Sequence, residues 1–396
     1  MKIIYCIPQL YRPGGIERIV TIKANYLAEV FGYDVAIVVA DQKDKIPFYK
    51  LSDKVKVVDL GLDYDGTLNM PIWKRIMVRC RLHKLHKEKL ERFLLEQHPD
   101  ITISTFTHEA SFLPDIKDGS KKVLEFHFCR RHKRKMADAF NFSFIKRMSY
   151  YFKCWQEENI IIPKYDQFVV LTEEDRRYWK SKIPTVRHIS NILPFAYEER
   201  AELNEKNVIA VGRLDAQKRF DRLIDIWARI TKMYPDWHLN IYGQGTDRNK
   251  LQKQIENCDC KECITLHEPD PNIKHRYLES SIFCMTSAYE GLPMTLLEAT
   301  GLGLPAICYD FTCGPKDVIK NGINGYLVKE GDEATFVQRL SELMDSAELR
   351  KSMGGKTYEL SLKYGKERIM RQWMTLFKEL SSEDKSKNQV VNIYKN

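Results

Sequence analysis

The most informative stretch of the sequence lies in the second half of the chain and reads Tyr289-Glu290-Gly291-Leu292-Pro293-Met294-Thr295-Leu296-Leu297-Glu298-Ala299. The run 282–286 before it predicts a strand, and Pro293 suits the first position of a helix. In open α/β sheets such junctions lie at the carboxyl ends of parallel strands, where ligands bind and helix amides face anions. Glu290 precedes the helix and Glu298 lies on its second turn, so both carboxylates can approach one polyhydroxylated, phosphate-bearing ligand. The alternative is that Glu290 only caps the helix and Glu298 is solvated.

A second junction follows the predicted strand 208–211 and reads Gly212-Arg213-Leu214-Asp215-Ala216-Gln217-Lys218. Arg213 lies at the strand exit and Lys218 lies close to the next helix, so both cations can converge on the mouth of the sheet. Fixed positive groups stabilise a departing diphosphate because they are already oriented when the bond breaks. The alternative is an exposed loop with ordinary surface charges.

Two weaker signals lie in the first half. The stretch Pro13-Gly14-Gly15-Ile16-Glu17-Arg18 joins a predicted strand, 3–7, to a helix that runs through Tyr26. Adjacent glycines let backbone approach a ligand, and the helix start offers amides to phosphate, although the G-x-G-x-x-G pattern is absent. His127 ends the predicted strand 123–127 and can donate a hydrogen bond to a substrate hydroxyl, although a histidine in this position is more often structural.

Short β-branched runs alternate with amphipathic stretches throughout the 396 residues, which predicts an α/β protein with two parallel sheets. The length also favours two domains. The predicted strands of the first half are 3–7, 35–40, 55–60, 101–105, 123–127 and 168–172. Those of the second half are 208–211, 238–242, 264–266, 282–286, 305–309 and 325–328. The joint is expected within the polar segment 190–206, and the polar tail 381–396 is expected to be disordered.

The net charge of +9 is concentrated in two segments. Residues 74–92 and 121–147 together carry 17 Lys and Arg against four Asp and Glu, a local excess of +13 that leaves the remainder at −4. Nucleic acid is not the expected partner, since no recognisable binding motif accompanies the charge. An anionic membrane is one interpretation, because aromatic residues lie beside the second segment. The other, given equal weight, is a solvated helix face with those aromatics buried against the sheet. The aromatics are Phe140, Phe142, Phe144, Tyr150, Tyr151, Phe152 and Trp155.

No metal site is predicted. The triplet Asp63-Tyr64-Asp65 fits a polar turn better than a metal ligand set, and the spacing of Cys258, Cys260, Cys263 and His267 does not match a two-pair zinc pattern. No apolar run reaches the roughly 18 residues of a membrane span, and no secretory signal pattern opens the chain. Ten scattered cysteines suit a reducing compartment. We therefore expect a cytoplasmic protein.

Together these motifs resemble the family-four, or group 1, retaining glycosyltransferases of GT-B fold, which have two facing Rossmann-like domains. The resemblance runs from Gly14-Gly15 to the segments 314–317 and 321–325, and its most specific parts are the Glu-x7-Glu pair and Gly212-Arg213 with Lys218. It implies an acceptor-side domain at 1–195 and a nucleotide-sugar domain at 196–362. A helix at about 363–380 would pack back on the first domain, and the polar tail would follow it.

The resemblance also implies roles for single residues. Arg213 and Lys218 would hold the donor diphosphate, with Gly14, Gly15 and the amides of Met294, Thr295 and Leu296 beside it. Glu298 would bind the ribose, Glu290 would contact the sugar near the reacting centre, and His127 would touch the sugar. The catalytic set is therefore Glu290, Arg213, Lys218 and His127. Arg219 stands where many relatives have glycine, and Gly-Leu-Pro-Met-Thr replaces the commoner Gly-Phe-Gly, so donor preference can differ.

The implied activity is retaining hexosyl transfer from a nucleoside-diphosphate sugar to a glycan or polyprenyl-linked glycan acceptor, in cell-surface polysaccharide synthesis. The sequence Gly-Leu-Pro-Met-Thr-Leu-Leu-Glu resembles the motif of the subgroup that builds bacterial surface polysaccharides. No metal or other cofactor is expected. The expected location is the cytoplasm, with the inner face of the plasma membrane as one interpretation. The alternatives are a nucleotide-sugar epimerase or phosphorylase of the same fold, or a non-enzymatic basic adaptor for membrane or nucleic acid.

Overall fold

The computed structural model describes residues 1–195, 199–258 and 260–393, with side chains described to Ser382. The chain forms two parallel sheets. The strands of the first sheet are β1 Lys2–Ile7, β2 Asp34–Val39, β3 Val55–Asp59, β4 Ile101–Ser104, β5 Lys121–Phe126, β6 Gln167–Val170 and β7 Arg187–His188. Those of the second are β8 Asn207–Val211, β9 His238–Tyr242, β10 Ile264–His267, β11 Ile282–Met285, β12 Ala306–Tyr309 and β13 Gly325–Val328.

Helices connect the strands and cover the sheets. In the first half they are α1 Gly15–Glu29, α2 Ile72–Gln97, α3 His132–Ala139, α4 Phe144–Gln156 and α5 Glu173–Lys180. In the second half they are α6 Phe220–Ile230, α7 Arg248–Glu256, α8 Ile273–Leu278, α9 Met294–Gly301, α10 Pro315–Val318, α11 Glu333–Asp345, α12 Ala347–Ser361 and α13 Lys366–Ile393. None of the helices in the described part of the chain has the length and apolarity needed to cross a bilayer.

The two sheets share one topology. The first has the order β3-β2-β1-β4-β5-β6-β7 and the second the order β10-β9-β8-β11-β12-β13. In each sheet, the first three strands are added outward from the central strand toward one edge. The chain then crosses back, and the following strands are added toward the other edge. The order therefore reverses between β1 and β4 and between β8 and β11, and a crevice opens outside the carboxyl ends of strands at such a point. Ligand sites are expected after these four strands.

The strand predictions from the sequence are confirmed, with small shifts at the ends. All 12 predicted runs overlap strands β1 to β6 and β8 to β13. Strand β7 has no counterpart among the predicted runs, because an edge strand of two residues carries no alternation of apolar and polar side chains. Pro293 is the N-cap rather than the first residue of α9, with φ −69° and ψ 116°.

Each sheet has its own apolar core. The first core gathers buried side chains from β1, β2, β4 and α1 together with Ile369, Trp373 and Phe377 of α13. The last helix therefore packs on the first sheet. The second core runs from β8 to α12 and includes Trp227, Phe283 and Phe336. Two predicted segments fall partly outside the described residues. The joint includes 196–198, and the tail includes 394–396. The expectation of a disordered tail is wrong for 381–393, because α13 continues as a helix to Ile393.

Candidate active site

The loops that follow β8 and β11 meet at the topological reversal of the second sheet. Lys218 Nζ donates a hydrogen bond to Glu290 Oε1 over 2.7 Å, and the two side chains are only 13% and 11% exposed. Gly212 makes room for this pair, since a Cβ atom there would lie 2.8 Å from Lys218 Cε. The sequence predicted Lys218 and Glu290 for one ligand, and the structure brings them into direct contact.

Arg213 lies apart from that pair. Its side chain is 73% exposed, and its Nη2 contacts Gln217 Oε1 at 3.2 Å and Asp215 Oδ2 at 3.3 Å. Gln217 in turn donates to the Tyr289 carbonyl over 3.0 Å. Arg213 therefore lies above the joined β8 and β11 loops, where it is free to move toward a ligand because it is largely solvated.

Glu298 is buried at the second turn of α9, and it has partners that the sequence analysis missed. Its Oε1 accepts from Arg18 Nη1 at 2.6 Å and its Oε2 accepts from the Tyr277 hydroxyl at 3.0 Å. Burial raises the pKa of Glu298, and the charge of Arg18 opposes that rise. Arg18 reaches the site from α1 of the first sheet and lies over the ring of Phe195 at 5.0 Å. Only its place one turn after Gly14-Gly15 hinted at this position.

The start of α9 supplies backbone amides. The first hydrogen bond of the helix runs from the Leu297 amide to the Pro293 carbonyl, so the helix itself leaves the amides of Met294, Thr295 and Leu296 without partners. The Thr295 hydroxyl is also buried without a hydrogen-bond partner among the described residues. Because unpaired amides at a helix start carry partial positive charge, this end of α9 suits an anion next to Lys218.

Glycines let the two halves of the chain touch beside the site. A Cβ atom on Gly291 would lie 2.3 Å from the His127 carbonyl oxygen, so the loop after β11 rests on the backbone that leaves β5. A Cβ atom on Gly15 would lie 3.2 Å from Met294 Cγ. Met294 packs against both apolar cores. Predicted residues of the two halves therefore meet beside the site.

His127 itself is buried beneath that contact. Its Nε2 lies 3.3 Å from Glu125 Oε1, without the geometry of a hydrogen bond. Glu125 also pairs with Lys23 of α1, and both of these side chains are almost fully buried. Burial disfavours the charged form of Glu125, but Lys23 and then His127 outweigh it and hold its pKa down at about 2. The imidazole is therefore part of a buried charge cluster behind the cleft.

Gly14 caps α1 and lies against an acidic side chain. A Cβ atom there would lie 1.9 Å from Glu17 Oε2, and Gln9 Nε2 donates to Glu17 Oε1 over 2.9 Å. Burial raises the pKa of Glu17.

A second contact between the two halves flanks the site. Cys129, after β5, lies in one buried cluster with Tyr289 and Cys313, and Met136 and Ala139 of α3 pack against it. Cys313 Sγ donates to Asp175 Oδ1 at 3.0 Å, and Arg130 Nη1 donates to the same oxygen at 3.1 Å. Helix α3 is therefore held directly beside Tyr289 and Glu290.

The residues of the two alternative metal sites interact with other groups of the protein. Asp63 Oδ1 accepts from the Gly66 amide at 2.8 Å in a polar turn, and Asp65 pairs with Arg12. Cys258 and Cys260 form a disulfide, which departs from the expectation of unpaired cysteines. Two residues apart in a turn, they lie close enough to pair. Among the residues that the structure describes, no group of three or more His, Cys, Asp or Glu side chains is placed to hold a metal ion.

Comparisons with known proteins show which proteins this chain resembles. The family model described as Glycosyl transferases group 1 matches residues 196–360, which contain Lys218, Glu290 and Glu298. The second half of the chain is therefore similar to the group 1 glycosyltransferases. An uncharacterized glycosyltransferase of Haemophilus influenzae is 28% identical over 381 residues, which cover 94% of this chain and 98% of the relative.

Two further comparisons cover nearly the whole chain. One relative, of Campylobacter jejuni, is named GalNAc-alpha-(1->4)-GalNAc-alpha-(1->3)-diNAcBac-PP-undecaprenol alpha-1,4-N-acetyl-D-galactosaminyltransferase. It is 24% identical over 388 residues, covering 96% of this chain and 99% of that protein. The crystal structure of a mutant of S. aureus TarM, in complex with UDP, Fondaparinux and alpha-GlcNAc-glycerol, aligns with a TM-score of 0.75 at 17% identity. The alignment covers 95% of this chain and 99% of TarM. The prediction of a GT-B fold is confirmed.

Proposed function

We propose that this glycosyltransferase moves a sugar from a nucleoside-diphosphate sugar to a glycan acceptor with retention of anomeric configuration. The observation that carries the proposal is the grouping of Lys218, Glu290, Glu298 and the free amides of α9 at the reversal point of the second sheet. One buried cation and a helix start suit a diphosphate, and two carboxylates suit sugar hydroxyls. Glycan synthesis is supported by the relatives' names, while donor, retention and hexosyl specificity are parts of the proposal.

Each group has a role in the proposed reaction. Lys218, Arg213 and the amides of Met294, Thr295 and Leu296 would hold the diphosphate, which lies near Gly14 and Gly15. Glu298 would accept hydrogen bonds from the ribose hydroxyls, and Glu290 would contact the donor sugar. For Glu298 to bind ribose, the Arg18 guanidinium must share or release that carboxylate, because its Oε1 is already hydrogen-bonded. His127 would reach the sugar only with movement of its buried ring.

The bond changes follow a front-face displacement. The bond between the anomeric carbon and the donor phosphate oxygen breaks, and the acceptor hydroxyl oxygen bonds to the same face of that carbon. The hydroxyl proton passes to the departing phosphate, so the products are the glycoside and a nucleoside diphosphate. Lys218 and the α9 amides stabilise the negative charge that develops on the phosphate, since they are already oriented toward it.

The acceptor is proposed to bind on the first-sheet side of the cleft. The C. jejuni relative is named for an undecaprenol-linked acceptor, which supports a polyprenyl-linked glycan here. An acceptor of that class would place the protein in the cytoplasm at the inner face of the plasma membrane. The proposed domains, 1–195 with the last helix and 196–362, match this division into acceptor and donor sides.

A ligand screen and two variants test the proposal. A true donor should raise the melting temperature by mass action, so nucleotide sugars are screened by thermal shift. Lys218→Ala or Glu298→Ala should then weaken donor binding about 10- to 150-fold, because a hydrogen bond to a charged group contributes about 1.5–3 kcal/mol. The matched control removes Lys356 or Glu359, an exposed ion pair of α12 at 3.1 Å. Unchanged donor binding in both site variants would refute the site.

Product analysis separates the alternative functions. Without acceptor, a transferase gives only slow donor hydrolysis. An epimerase instead gives an isomeric nucleotide sugar, and a phosphorylase needs inorganic phosphate. A basic adaptor without enzymatic activity would show no saturable binding of any nucleotide sugar.

A further inference from the structure

Large apolar side chains are exposed on one region of the first half. Of the 21 such side chains in the described part of the chain, 12 lie within residues 68–77 and 140–160, and only three lie after β8. Ile145 of α4 is 82% exposed and Trp73 of α2 is 67% exposed. The interpretation that the aromatics of the second basic segment are buried against the sheet is therefore wrong for Phe140, Phe144, Phe152 and Trp155.

These side chains follow helical periodicity on α4 and at the start of α2. Positions 144, 145, 148, 152 and 155 recur at each turn of α4, so they share one face of the helix. At the start of α2, one face of the helix likewise contains positions 72, 73, 76 and 77. We name the two faces together the apolar platform, formed by Ile72, Trp73, Ile76, Met77, Phe144, Ile145, Met148, Phe152 and Trp155. A set of this size is beyond what scattered surface residues explain.

The charge around the apolar platform is mostly positive. No Asp or Glu occurs in residues 66–87 or 139–156, whereas these segments contain Lys74, Arg81, Lys84, Lys146 and other cations. Cations of the two helices also lie close enough to repel one another. Burial, followed by the positive charges of Lys133 and Arg79, lowers the pKa of Lys153, so cations of α2, α3 and α4 lie near one another. Asp138 pairs with Arg147 at 2.8 Å beside α4, but the cations outnumber the acidic side chains. Apolar side chains with a basic excess around them complement an anionic lipid surface.

The apolar platform adjoins the active-site cleft. Helix α4 packs on α3, and the Phe142 ring lies 5.1 Å from that of Tyr150 and 6.0 Å from that of Phe140. Met136 and Ala139 of α3 pack against the cluster that contains Tyr289, next to Glu290. Any partner surface that binds α4 would therefore lie close to the opening of the cleft.

From this geometry we infer that the apolar platform docks on an anionic lipid bilayer and so presents a lipid-linked acceptor to the cleft. The evidence for docking is the exposure of these apolar side chains and the charge around them. The presentation of an acceptor rests on the proposed function. The apolar face enters the interface between head groups and acyl chains, while Lys74, Lys84 and Lys146 remain at the level of the phosphates.

The test is co-sedimentation of the full chain with vesicles. Phosphatidylcholine vesicles containing phosphatidylglycerol are compared with phosphatidylcholine alone, at low and high salt. The apolar variant replaces Ile145, Phe152 and Trp155 with serine, and the charge variant replaces Lys74, Lys84 and Lys146 with glutamate. The matched controls are Met233→Ser with Ile323→Ser, which are exposed apolar side chains of the second half, and a charge control with Lys329, Lys351 and Lys356 changed to glutamate.

Docking predicts that the protein binds the anionic vesicles, that salt weakens binding, and that each platform variant reduces the partition coefficient at least about tenfold. The controls should bind like the unmodified protein. An unchanged melting-temperature shift with the donor shows that the variants are folded. Equal binding by the apolar variant, or no binding by the unmodified protein, overturns the inference. So does a dimer in light scattering that the apolar variant abolishes without any vesicle binding, since the platform would then be an interface between two copies. Vesicle binding without transferase activity would refute the proposed function and leave docking intact.

Discussion

Replacing Gly291 with alanine tests whether contact between the two halves of the cleft is needed for transfer. Gly291 does not have a positive φ, so alanine fits its backbone conformation. The added Cβ atom would nevertheless lie 2.3 Å from the His127 carbonyl oxygen, and contacts under 3.0 Å essentially never occur. The loop and the β5 exit must therefore separate by at least about 0.7 Å. A misplacement of about 1 Å can cost about a hundredfold in rate.

We expect Gly291→Ala to lower turnover about 10- to 100-fold while donor affinity changes little, since Lys218 and the α9 amides are not displaced within the second half. The assay follows release of the nucleoside diphosphate, alongside titration of the donor by thermal shift. Gly355→Ala is the matched control, because a Cβ atom there meets nothing within 4 Å. Full turnover by Gly291→Ala would show that closure at this contact is not required, and the reasoning would fail.

Two further perturbations probe the core of the first half. Lys23→Met should lower the free energy of unfolding by about 3–5 kcal/mol in urea denaturation, because it leaves the buried Glu125 carboxylate without its main partner. Since the pKa of Glu125 is held at about 2, below its ordinary 4.5, this stabilisation is present above pH 4.5 and is lost as the pH falls toward 2. The stability gap between Lys23→Met and the unmodified protein should close over that range, and a constant gap would contradict the ion pair. Trp373→Ala should cost about 3–5 kcal/mol because it empties a buried site, whereas the exposed Trp155→Ala should cost almost nothing; equal losses would contradict the placement of α13.

The sequence predicted the sheets well because parallel buried strands have a strong local pattern. It also predicted that Lys218, Glu290 and Glu298 approach one ligand, since the ends of neighbouring parallel strands meet at one sheet edge. The contact of Lys218 with Glu290 follows from that rule. The partners of Glu298 do not follow from that rule. Arg18 is 280 residues away in sequence, and its position beside Glu298 depends on how the two halves pack.

Helical periodicity has a similar limit. The aromatics around α4 have the spacing of an amphipathic face, and spacing alone does not say whether such a face meets the protein or the surroundings. The structure decides that question by leaving Phe144, Phe152 and Trp155 exposed. The disulfide of Cys258 with Cys260 also has no distinctive sequence signal, because two cysteines in a short turn equally suit free thiols.

The position of α13 has a consequence for how the polypeptide is assembled. The first core contains β1 from the start of the chain and Trp373 and Phe377 from near its end, so it cannot be complete until synthesis is nearly finished. The buried Lys23 ammonium, 4.4 Å from the Trp373 ring centroid, is covered only when that helix arrives. The second core draws on Leu171 and Leu193 of the first half, but its last member is Tyr364, before α13 begins. The core of the first half is therefore expected to be the last one completed during synthesis, although it contains the first strand of the chain.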